Sequence, residues 1–585
     1  MRPVPQRYVP YPPIGRHGVI GDRRCAALVA ADGTLDWLCL PDYDSAPLFG
    51  ALLDAPAGGH WRFGPRAALF GEQRYLGPSA VLQTRWTLAE GELELTDFMP
   101  WRNDEAALDP TTRVVARRLR CTAGRAAAAM DFAPRSDFAA TPPSAARLST
   151  TFPESGHAEL ALTQGQEEWA ILTWGEAEPV AAAAAARALD ATLAAWTRFR
   201  SRLTWPGLGD ERALRSALTI HLLGYAPSGA MVAAPTCSLP ERLGGDRNYD
   251  YRYAWIRDAS LCVARFCLLG DLQTAERFLS WLCGLGSSTP SPLQVAYGVR
   301  GELELVERQR CELAGYRSSR PVLFGNRAYQ QRQLGSLGYL ADAMRDFVAA
   351  GGSWRPQYAQ LLAAIADHTC RVWREPDSGI WELAEHHQYV SSKVMSWTTL
   401  DRALAVAERC AGSASDEQRR RWTAERANIA ADVLEHGWSD ALGAFRERYG
   451  ADGLDAAALL IPIMGLLPAD DARVRATVDR IGEVLSIAGF LYRWDPERGT
   501  ERGQPLGEFE GSFVPLMFWW ATALAKAGRR SEAEVVLARG EEAMNALGLF
   551  AEEYDPRDRA ALGNFPLLFS HAEHLRAKMA LAPTR

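Results

Sequence analysis

The sequence of 585 residues lacks the features that mark membrane, secreted and disulfide-rich proteins. The longest apolar stretch near the C-terminus, residues 513–525, is too short to span a bilayer. The N-terminal segment MRPVPQRYVPYPPIGRHG contains no apolar run of the kind that a secretory signal needs. The ten cysteines are scattered and form no CxxC pair, which is more typical of reduced, buried thiols than of a disulfide framework or a zinc site. We therefore expect a cytoplasmic protein with no membrane partner.

The chain also lacks an excess of basic residues. Its 64 lysines and arginines against 71 aspartates and glutamates give a formal net charge of −7, which argues against nucleic-acid binding. Because 48% of the residues are hydrophobic and 23% are charged, an ordinary globular protein is expected rather than a disordered or collagen-like chain. The 19 tryptophans are many for this length and fit either a large core or a site that stacks on sugar rings.

Motifs of the common nucleotide-binding and hydrolase sites are missing as well. There is no Walker A loop and no GxSxG elbow, and GLGSST at 284–289 lacks the third glycine of a dinucleotide fingerprint. His571 and His574 lie three residues apart, but two ligands without a third are a weak metal signal. Neither a cofactor nor a metal ion is predicted, and carboxylates remain as the candidates for catalysis.

The first part of the chain has the pattern of short β-strands. In CAALVAADGTLDWLCL the dipeptide Asp32-Gly33 joins two strand-like runs, and Glu90-Gly91 repeats this pattern. Several short strands at such spacing predict an antiparallel β-sandwich over residues 1–177. The alanine-rich stretch that follows runs into an amphipathic segment and predicts a helical linker over residues 178–205.

From residue 206 onward the hydrophobic period is that of helices. In ERALRSALTIHLLGYA the apolar residues recur at i, i+3, i+4 and i+7. Further candidate helices begin near residues 258, 271, 333, 355, 393, 416, 456, 471, 511, 531 and 570. Since no repeat signature of 33 to 47 residues stands out, an open solenoid is disfavoured. A closed double ring of helices over residues 206–585 is the simplest arrangement.

Local context singles out three acidic residues. Glu382 follows a tryptophan in a loop, where partial desolvation would raise the pKa of the carboxyl as a general acid requires, although a solvated loop glutamate is the commoner case. Glu510 lies directly before an aromatic-rich helix and could instead favour the helix dipole. Asp258 could be a helix N-cap. However, it ends the stretch RNYDYRYAWIRD, whose aromatic and arginine side chains suit a polyhydroxylated ligand.

At these residues the chain resembles glycoside hydrolase family 15, especially its bacterial branch of trehalases and glucoamylase-like enzymes. The resemblance covers nearly the whole chain in family order. The segments that carry it are PPIGRHGVIGDRRCAALVAADGTLDWLCL, SLPERLGGDRNYDYRYAWIRDA, GIWE with SSKVMSWTTLDRAL, YRW at 492–494 with EGSFVPLMFWW, and GLFAEEYDPRDRAALGNFPLLFSHAEHL. The resemblance implies a multidomain protein: an N-terminal β-sandwich, a helical linker and an all-α (α/α)6 barrel with the active site at its mouth.

The resemblance also implies roles for single residues. Glu382 would be the general acid and Glu510 the general base. Arg257 and Asp258 would hold the terminal glucose through its distal hydroxyls, and Arg493 would bind another hydroxyl of that ring. The pocket would be lined by Tyr251, Trp255 and Trp381.

With these roles the expected reaction is inverting hydrolysis of an α-glucoside. Such an enzyme needs two carboxyls about 6.5–9.5 Å apart with room for one water. Glu382 would protonate the glycosidic oxygen while Glu510 deprotonates the water that attacks the opposite face, and the product would be β-glucose. Because Asp258 would close the pocket behind the terminal ring, the enzyme is expected to be exo-acting. Trehalose is slightly favoured over short α-glucans as the substrate.

Residues 320–340 depart from the pattern of the family. Many relatives have arginine where this chain has Leu323, and an Asp–x–Tyr–Gly–Glu run where it has Gly335, Leu337 and Tyr339. These changes bear on the subsite for the leaving group and not on the proposed acid and base. Asp42 also stands where relatives often carry a basic residue, in a loop that could reach the pocket.

Two alternatives stay open at this point. A catalytically altered relative could keep the fold as a sugar-binding or regulatory protein, and the departures in 320–340 motivate that hypothesis. Transfer to phosphate in place of water is disfavoured because no phosphate cradle replaces Glu510. The expected partner is a small carbohydrate, and the sequence leaves a homo-oligomer open.

Overall fold

The N-terminal part of the chain forms two layers of antiparallel strands. The structure is a computed structural model that describes residues 8–101, 112–143, 145–153, 156–494 and 505–582. The strands are β1 (His17–Gly21), β2 (Ala26–Ala30), β3 (Thr34–Cys39), β4 (Pro47–Phe49), β5 (His60–Pro65), β6 (Glu72–Tyr75), β7 (Leu82–Thr87), β8 (Gly91–Phe98), β9 (Arg113–Ala133), β10 (Ala146–Thr150), β11 (His157–Thr163) and β12 (Glu167–Trp174). Their main path runs in the order β1-β2-β3-β5-β9-β8-β7-β6.

Strand β9 belongs to both layers. Its first half pairs with β8 and β12, and its second half pairs with β5 and β11. The strand changes layer near Gly124, whose φ of 62° favours glycine, and a Cβ atom there would collide with the carbonyl group of Glu90. Inward-facing side chains such as Trp37, Trp61 and Leu95 are fully buried. The predicted antiparallel β-sandwich is confirmed.

A long helix, α1 (Ala182–Arg202), connects the β-structure to the helical part. Its Trp196 packs edge-to-face on Trp101 at 4.8 Å between ring centroids, and its Phe199 stacks on His221 at 3.6 Å. The helix therefore contacts side chains that come before and after it in the chain. It lies inside the predicted linker 178–205, whose boundaries stay a prediction.

The rest of the chain forms a closed double ring of helices. The helices are α2 (Glu211–Leu222), α3 (Ile256–Leu269), α4 (Leu272–Cys283), α5 (Ser336–Ala349), α6 (Pro356–Val372), α7 (Val390–Arg409), α8 (Asp416–His436), α9 (Leu460–Met464), α10 (Ala472–Val484), α11 (Val514–Lys526), α12 (Arg530–Glu541) and α13 (Leu568–Ala580). Contacts run from α3 through α5, α7, α9, α11 and α13 back to α3, which closes an inner ring. The even-numbered helices lie outside it, so the expected (α/α)6 arrangement is confirmed.

The inner helices are more deeply buried than the outer ones, as expected when outer helices bury only one face. The inner helix α9 is buried along its whole length, and α11 is apolar on all sides over most of its length. The outer helix α8 buries only Trp422, Ile429 and Val433. In the part of the chain that the structure describes, no helix is both long and apolar enough to cross a membrane.

Short strands occupy the loops of the helical part. They are Ala254–Trp255, Ala296–Tyr297, Arg308–Gln309, Leu323–Phe324, Trp438–Ser439, Ala444–Phe445, Ser486–Ile487, Phe490–Leu491, Ser512–Phe513, Glu553–Asp555 and Ala560–Leu562. The segments before α3, α7 and α11 and the first turn of α13 line one common cavity. One end of the inner ring therefore carries the candidate site.

Candidate active site

A cavity of about 440 Å³ opens at this end of the ring. Its wall combines aromatic side chains with guanidinium and carboxylate groups, which suits the apolar faces and the hydroxyl edges of a sugar. Five of the eight residues singled out from the sequence lie in this wall: Tyr251, Arg257, Trp381, Glu382 and Arg493. The other three, Trp255, Asp258 and Glu510, each contact one of these five.

Glu382 presents its carboxylate to the cavity from the loop between α6 and α7. Its Oε1 accepts hydrogen bonds from the Trp255 indole at 2.9 Å and from Arg257 Nη1 at 3.3 Å. The side chain is 23% exposed. Its backbone has φ of 60°, a left-handed conformation that costs a non-glycine residue about 1–3 kcal/mol. The loop therefore holds this side chain in one defined position.

The surroundings of Glu382 favour its protonated form. Burial against the wall raises the pKa of this carboxyl, the positive charge of Arg257 acts against that rise, and the negative charge of Asp258 adds to it. A carboxyl with a raised pKa retains its proton at higher pH. This is the property required of a general acid.

Asp258 lies behind Arg257 and not in the cavity wall. Its Oδ1 accepts a hydrogen bond from Arg257 Nε at 2.6 Å, and the side chain is 5% exposed. The N-cap of α3 is Trp255, so the alternative reading of Asp258 as the N-cap is wrong. The geometry shows Asp258 orienting Arg257, and direct contact with a sugar hydroxyl stays a prediction.

Glu510 belongs to a buried ionic cluster. Its side chain is 0% exposed, Arg493 Nε donates to both carboxylate oxygens at 3.1 Å, and Arg247 pairs with the same group. Arg493 also pairs with Glu241 at 2.6 Å and with Glu553 at 3.3 Å. We call these five side chains the Arg493 cluster. Glu510 is therefore paired with two guanidinium groups and does not line the cavity.

The three glutamates of the Arg493 cluster are also the acidic group that could hold a cation. One ligand atom from each lies within 4.8 Å of the others. However, Arg493 contacts all three carboxylates, and Arg247 contacts two of them. Since two positive charges already occupy the space between the ligands, we assign no metal to the cluster.

Glu552 is a candidate that the sequence did not single out. Its Oε1 accepts a hydrogen bond from the Tyr251 hydroxyl at 2.6 Å, and its Oε2 accepts one from the Asn564 amide at 3.1 Å. The ring of Tyr251 lies 5.5 Å from that of Trp255, which in turn binds Glu382. Glu382 and Glu552 therefore lie at the two ends of one aromatic pair, of which Tyr251 lines the cavity.

The environment of Glu552 contains no guanidinium group at hydrogen-bond distance among the described residues. Burial raises the pKa of this carboxyl, and the charge of Glu241 raises it further. The signal in the sequence is the pair Glu552-Glu553 next to a short strand. Neighbouring residues of an extended segment point to opposite sides, so one of the pair meets Tyr251 and the other the Arg493 cluster.

Trp381 is fixed in the wall by a buried acceptor. Its indole donates to both oxygens of Asp455 at 3.0 and 2.9 Å, and its ring packs edge-to-face on Phe513 at 5.4 Å. Burial raises the pKa of Asp455 to about 7. The guanidinium carbon of Arg493 lies 5.8 Å from the centroid of the same indole. These contacts give the ring a defined orientation for stacking.

The departures in residues 320–340 lie mostly outside the catalytic cavity. Leu323 is part of its wall. Gly335 and Tyr339 line a cavity of about 10 Å³ beside Arg257, and Leu337 lines a separate cavity of about 630 Å³. One of the four positions therefore contacts the space in which a leaving group would lie.

Asp42 connects the two parts of the chain. It accepts a hydrogen bond from the Tyr225 hydroxyl at 2.7 Å and pairs with Arg300 at 2.9 Å. It does not line the catalytic cavity. The expectation that its loop reaches the pocket is therefore wrong for Asp42 itself, because its carboxylate is bound at the interface.

Comparison with known proteins gives a consistent result. The profile of glycosyl hydrolases family 15 matches residues 209–538, and that of the trehalase-like N-terminal domain matches residues 9–193. The chain is 35% identical to a trehalase of Mycolicibacterium smegmatis, covering 97% of this chain and 91% of that protein. It is 32% identical to a trehalase of Thermoplasma volcanium, covering 97% and 93%.

A similar solved structure agrees with the fold. A bacterial glucoamylase complexed with acarbose superposes with a TM-score of 0.68, covering 99% of this chain and 94% of that chain. The sequence identity is 13%. This likeness supports the two-part architecture of sandwich and helical ring.

Proposed function

The chain belongs to glycosyl hydrolase family 15 and is a glycoside hydrolase, and on this premise we propose that it hydrolyses trehalose with inversion. Attack of water on one glucose would release that ring as β-glucose, and the other ring would leave as α-glucose. The observation that carries the proposal is the carboxyl of Glu382, which has a raised pKa and faces a cavity lined by aromatic rings and arginines.

The acid step rests on Glu382. Its proton would pass to the glycosidic oxygen as the bond to the anomeric carbon breaks, which gives a neutral leaving group. After transfer, the carboxylate is stabilised by the hydrogen bonds from Trp255 and Arg257. These two hydrogen bonds stabilise the ionised carboxylate of Glu382 and keep the side chain at the cavity.

For the base we propose Glu552 in place of Glu510. Both carboxylate oxygens of Glu510 accept hydrogen bonds from guanidinium groups. Glu552 accepts from a tyrosine hydroxyl and a backbone amide, and burial raises its pKa. This difference in hydrogen-bond partners favours Glu552 as the group that deprotonates the attacking water.

Recognition of the terminal ring would fall to the arginines. Arg257, oriented by Asp258, and Arg493, held by three glutamates, both line the cavity with fixed donors. Such forks bind adjacent hydroxyls in a bidentate manner. We propose that they hold the glucose ring that water attacks and make the enzyme exo-acting.

Two observations favour trehalose over a long α-glucan. The cavity has a volume of about 440 Å³, which suits a short ligand. Relatives that are named trehalases align with 97% of this chain. We therefore propose trehalose as the substrate.

The test is glucose release from trehalose, maltose, isomaltose, maltodextrin and dextran, with proton NMR of the fresh products. The proposal expects release from trehalose at the highest rate, with equal initial amounts of α- and β-glucose. Two α-glucose molecules would contradict inversion, and preference for maltodextrin would move the enzyme to the glucoamylase type. The matched control is Glu382→Gln, which keeps the shape of the side chain.

A second candidate is a sugar-binding relative without hydrolysis, which the apolar side chain of Leu323 in the cavity wall favours. It predicts thermal stabilisation by glucose in a folded protein that releases glucose from none of the five substrates. Turnover of any one of them by the wild-type protein, lost in Glu382→Gln, would exclude it.

A further inference from the structure

The left-handed backbone at Glu382 needs support from outside its own loop. With φ of 60° the residue adopts a conformation that side chains other than glycine rarely have. The direction of its carboxylate depends on this backbone. The side-chain amide of Gln331 donates from Nε2 to the carbonyl oxygen of Glu382 at 2.9 Å. This hydrogen bond holds the peptide that follows the acid.

The chain on either side of Gln331 also runs along the acid loop, residues 377–382. The amide of Ser378 donates to the carbonyl of Arg332 at 2.8 Å, and the amide of Leu334 donates to Asp377 Oδ2 at 2.8 Å. The beginning of the acid loop is therefore bound by backbone groups. At its end, Trp255 and Arg257 bind the carboxylate of Glu382, and Gln331 binds its carbonyl oxygen.

Gln331 is itself held by other side chains. Gln333 Nε2 donates to Gln331 Oε1 at 2.8 Å, and the Ser336 hydroxyl donates to Gln333 Oε1 at 3.2 Å. Although Gln331 lines the catalytic cavity, both its amide nitrogen and its amide oxygen are engaged by protein groups.

We propose that Gln331 is a positioning residue for the general acid. Its amide keeps the Glu382 peptide in the left-handed conformation, and the carboxyl stays against Trp255 and Arg257 at the edge of the leaving-group space. The inference rests on the proposed function of Glu382. Without the donor, the carboxyl moves off the wall, so protonation of the leaving oxygen slows while sugar binding is unchanged.

The test replaces Gln331 by methionine, which has similar length and no donor. For trehalose we expect kcat to fall about 10- to 100-fold, since displacement of a catalytic group by about 1 Å has effects of this size. KM should change by less than about threefold, because ground-state binding is kept. With α-glucosyl fluoride, whose fluoride leaves with little help from an acid, kcat should stay within about threefold of the wild type.

A second readout is the pH profile. A carboxyl that leaves the wall is better hydrated, so its pKa falls toward the ordinary value. The alkaline limb of kcat/KM for trehalose should therefore move to lower pH in Gln331→Met. A glutamine with only a structural role would lower thermal stability without moving this limb.

The matched control is Gln330→Met in the same segment. The amide of Gln330 donates to the Tyr329 hydroxyl at 2.8 Å and does not contact the acid loop. We expect wild-type kinetics on both substrates. Should Gln331→Met fail to fold, Gln331→Ala, which also lacks the donor, should give the same selective loss on trehalose.

Three results would overturn the inference. Equal losses on trehalose and on the fluoride would mean general damage to the site, and a raised KM with unchanged kcat would mean direct sugar binding by Gln331. Wild-type kinetics in Gln331→Met would show that the hydrogen bond is dispensable. A wild-type protein that releases glucose from neither substrate contradicts the proposed function, and this inference falls with it.

Discussion

Glu382 and Glu510 are two glutamates at the same end of the barrel in opposite settings. Glu382 is 23% exposed, faces the cavity and has one arginine at 3.3 Å. Glu510 is 0% exposed and is bound by two arginines. Replacement of Glu382 should lower activity. Replacement of a residue in the surroundings of Glu510 should lower stability, because the neighbouring buried charges lose their partners.

The Arg493 cluster lies beside the cavity and fixes one of the arginines in its wall. Arg493 contacts the carboxylates of Glu241, Glu510 and Glu553, so its guanidinium group is held on several sides. A donor fixed in this way loses little conformational freedom when a sugar binds. The three glutamates thus fix the position of the Arg493 guanidinium group.

The largest expected effect is at the acid. Glu382→Gln keeps the size of the side chain and removes its proton, so kcat/KM for trehalose should fall by about 10²- to 10⁴-fold. The melting temperature should stay near that of the wild type. Stopped assays of glucose release and thermal unfolding measure both quantities, and near-normal turnover would remove Glu382 from the mechanism.

The second prediction separates the two candidate bases. Glu552→Gln should lower turnover by about 10²- to 10⁴-fold, and added azide, a nucleophile that needs no deprotonation, should restore part of it as β-glucosyl azide. In Glu510→Gln, added azide should not restore turnover, because the change lowers stability and does not remove the base. The reverse pattern would return the base to Glu510, the residue expected from the family resemblance.

The third prediction sharpens the contrast in stability. Arg493→Met leaves three glutamates facing one another without their shared partner and should lower the free energy of unfolding by about 3–5 kcal/mol. Arg247→Met, which leaves Arg493 in place, should cost less. Urea unfolding followed by tryptophan fluorescence measures both variants. Equal costs would mean that the two arginines share the charge evenly.

The fourth prediction concerns Asp258 and the pH profile. The negative charge of Asp258 contributes to the raised pKa of Glu382, so Asp258→Asn should lower that pKa. Because the acid must be protonated, the alkaline limb of kcat/KM should move to lower pH. KM should rise as well, since Arg257 loses its orienting partner. Unchanged kinetics would limit Asp258 to a structural role.

The smallest effect is expected at Tyr251. Its hydroxyl donates to the carboxylate of Glu552 and thereby lowers the pKa of that group, against the effect of burial. Tyr251→Phe should raise the pKa of Glu552, and the acidic limb of kcat/KM should move to higher pH because the base must be ionised. Turnover at the optimum should fall about tenfold. A pH–rate profile measures the shift, and an unmoved limb would argue against Glu552 as the base.

Much of the fold could be predicted because its signals are local. The period of 3.6 residues indicated α8 from residue 416, where the helix begins, and α4, α6 and α10 within one residue of their starts. The strand pattern around Asp32-Gly33 similarly indicated the hairpin of β2 and β3. These elements depend on neighbours in the chain and not on distant contacts.

The candidate site was predicted less completely, for a physical reason. Trp381-Glu382 has a local context, a loop beside an aromatic ring, and this context suffices to suggest an acid. The choice between Glu510 and Glu552 depends on which buried glutamate meets arginines and which meets Tyr251. These partners come from segments far apart in sequence, so their arrangement is visible only in the folded chain.

The closure of the inner ring by α13 against α3 has a consequence for synthesis of the protein. Until α13 leaves the ribosome, the nascent chain exposes the apolar flanks that α3 and α11 turn toward it. Phe569 in the first turn of α13 completes the wall of the cavity. A cavity assembled from segments that begin before α3 therefore becomes complete only after α13 has been made.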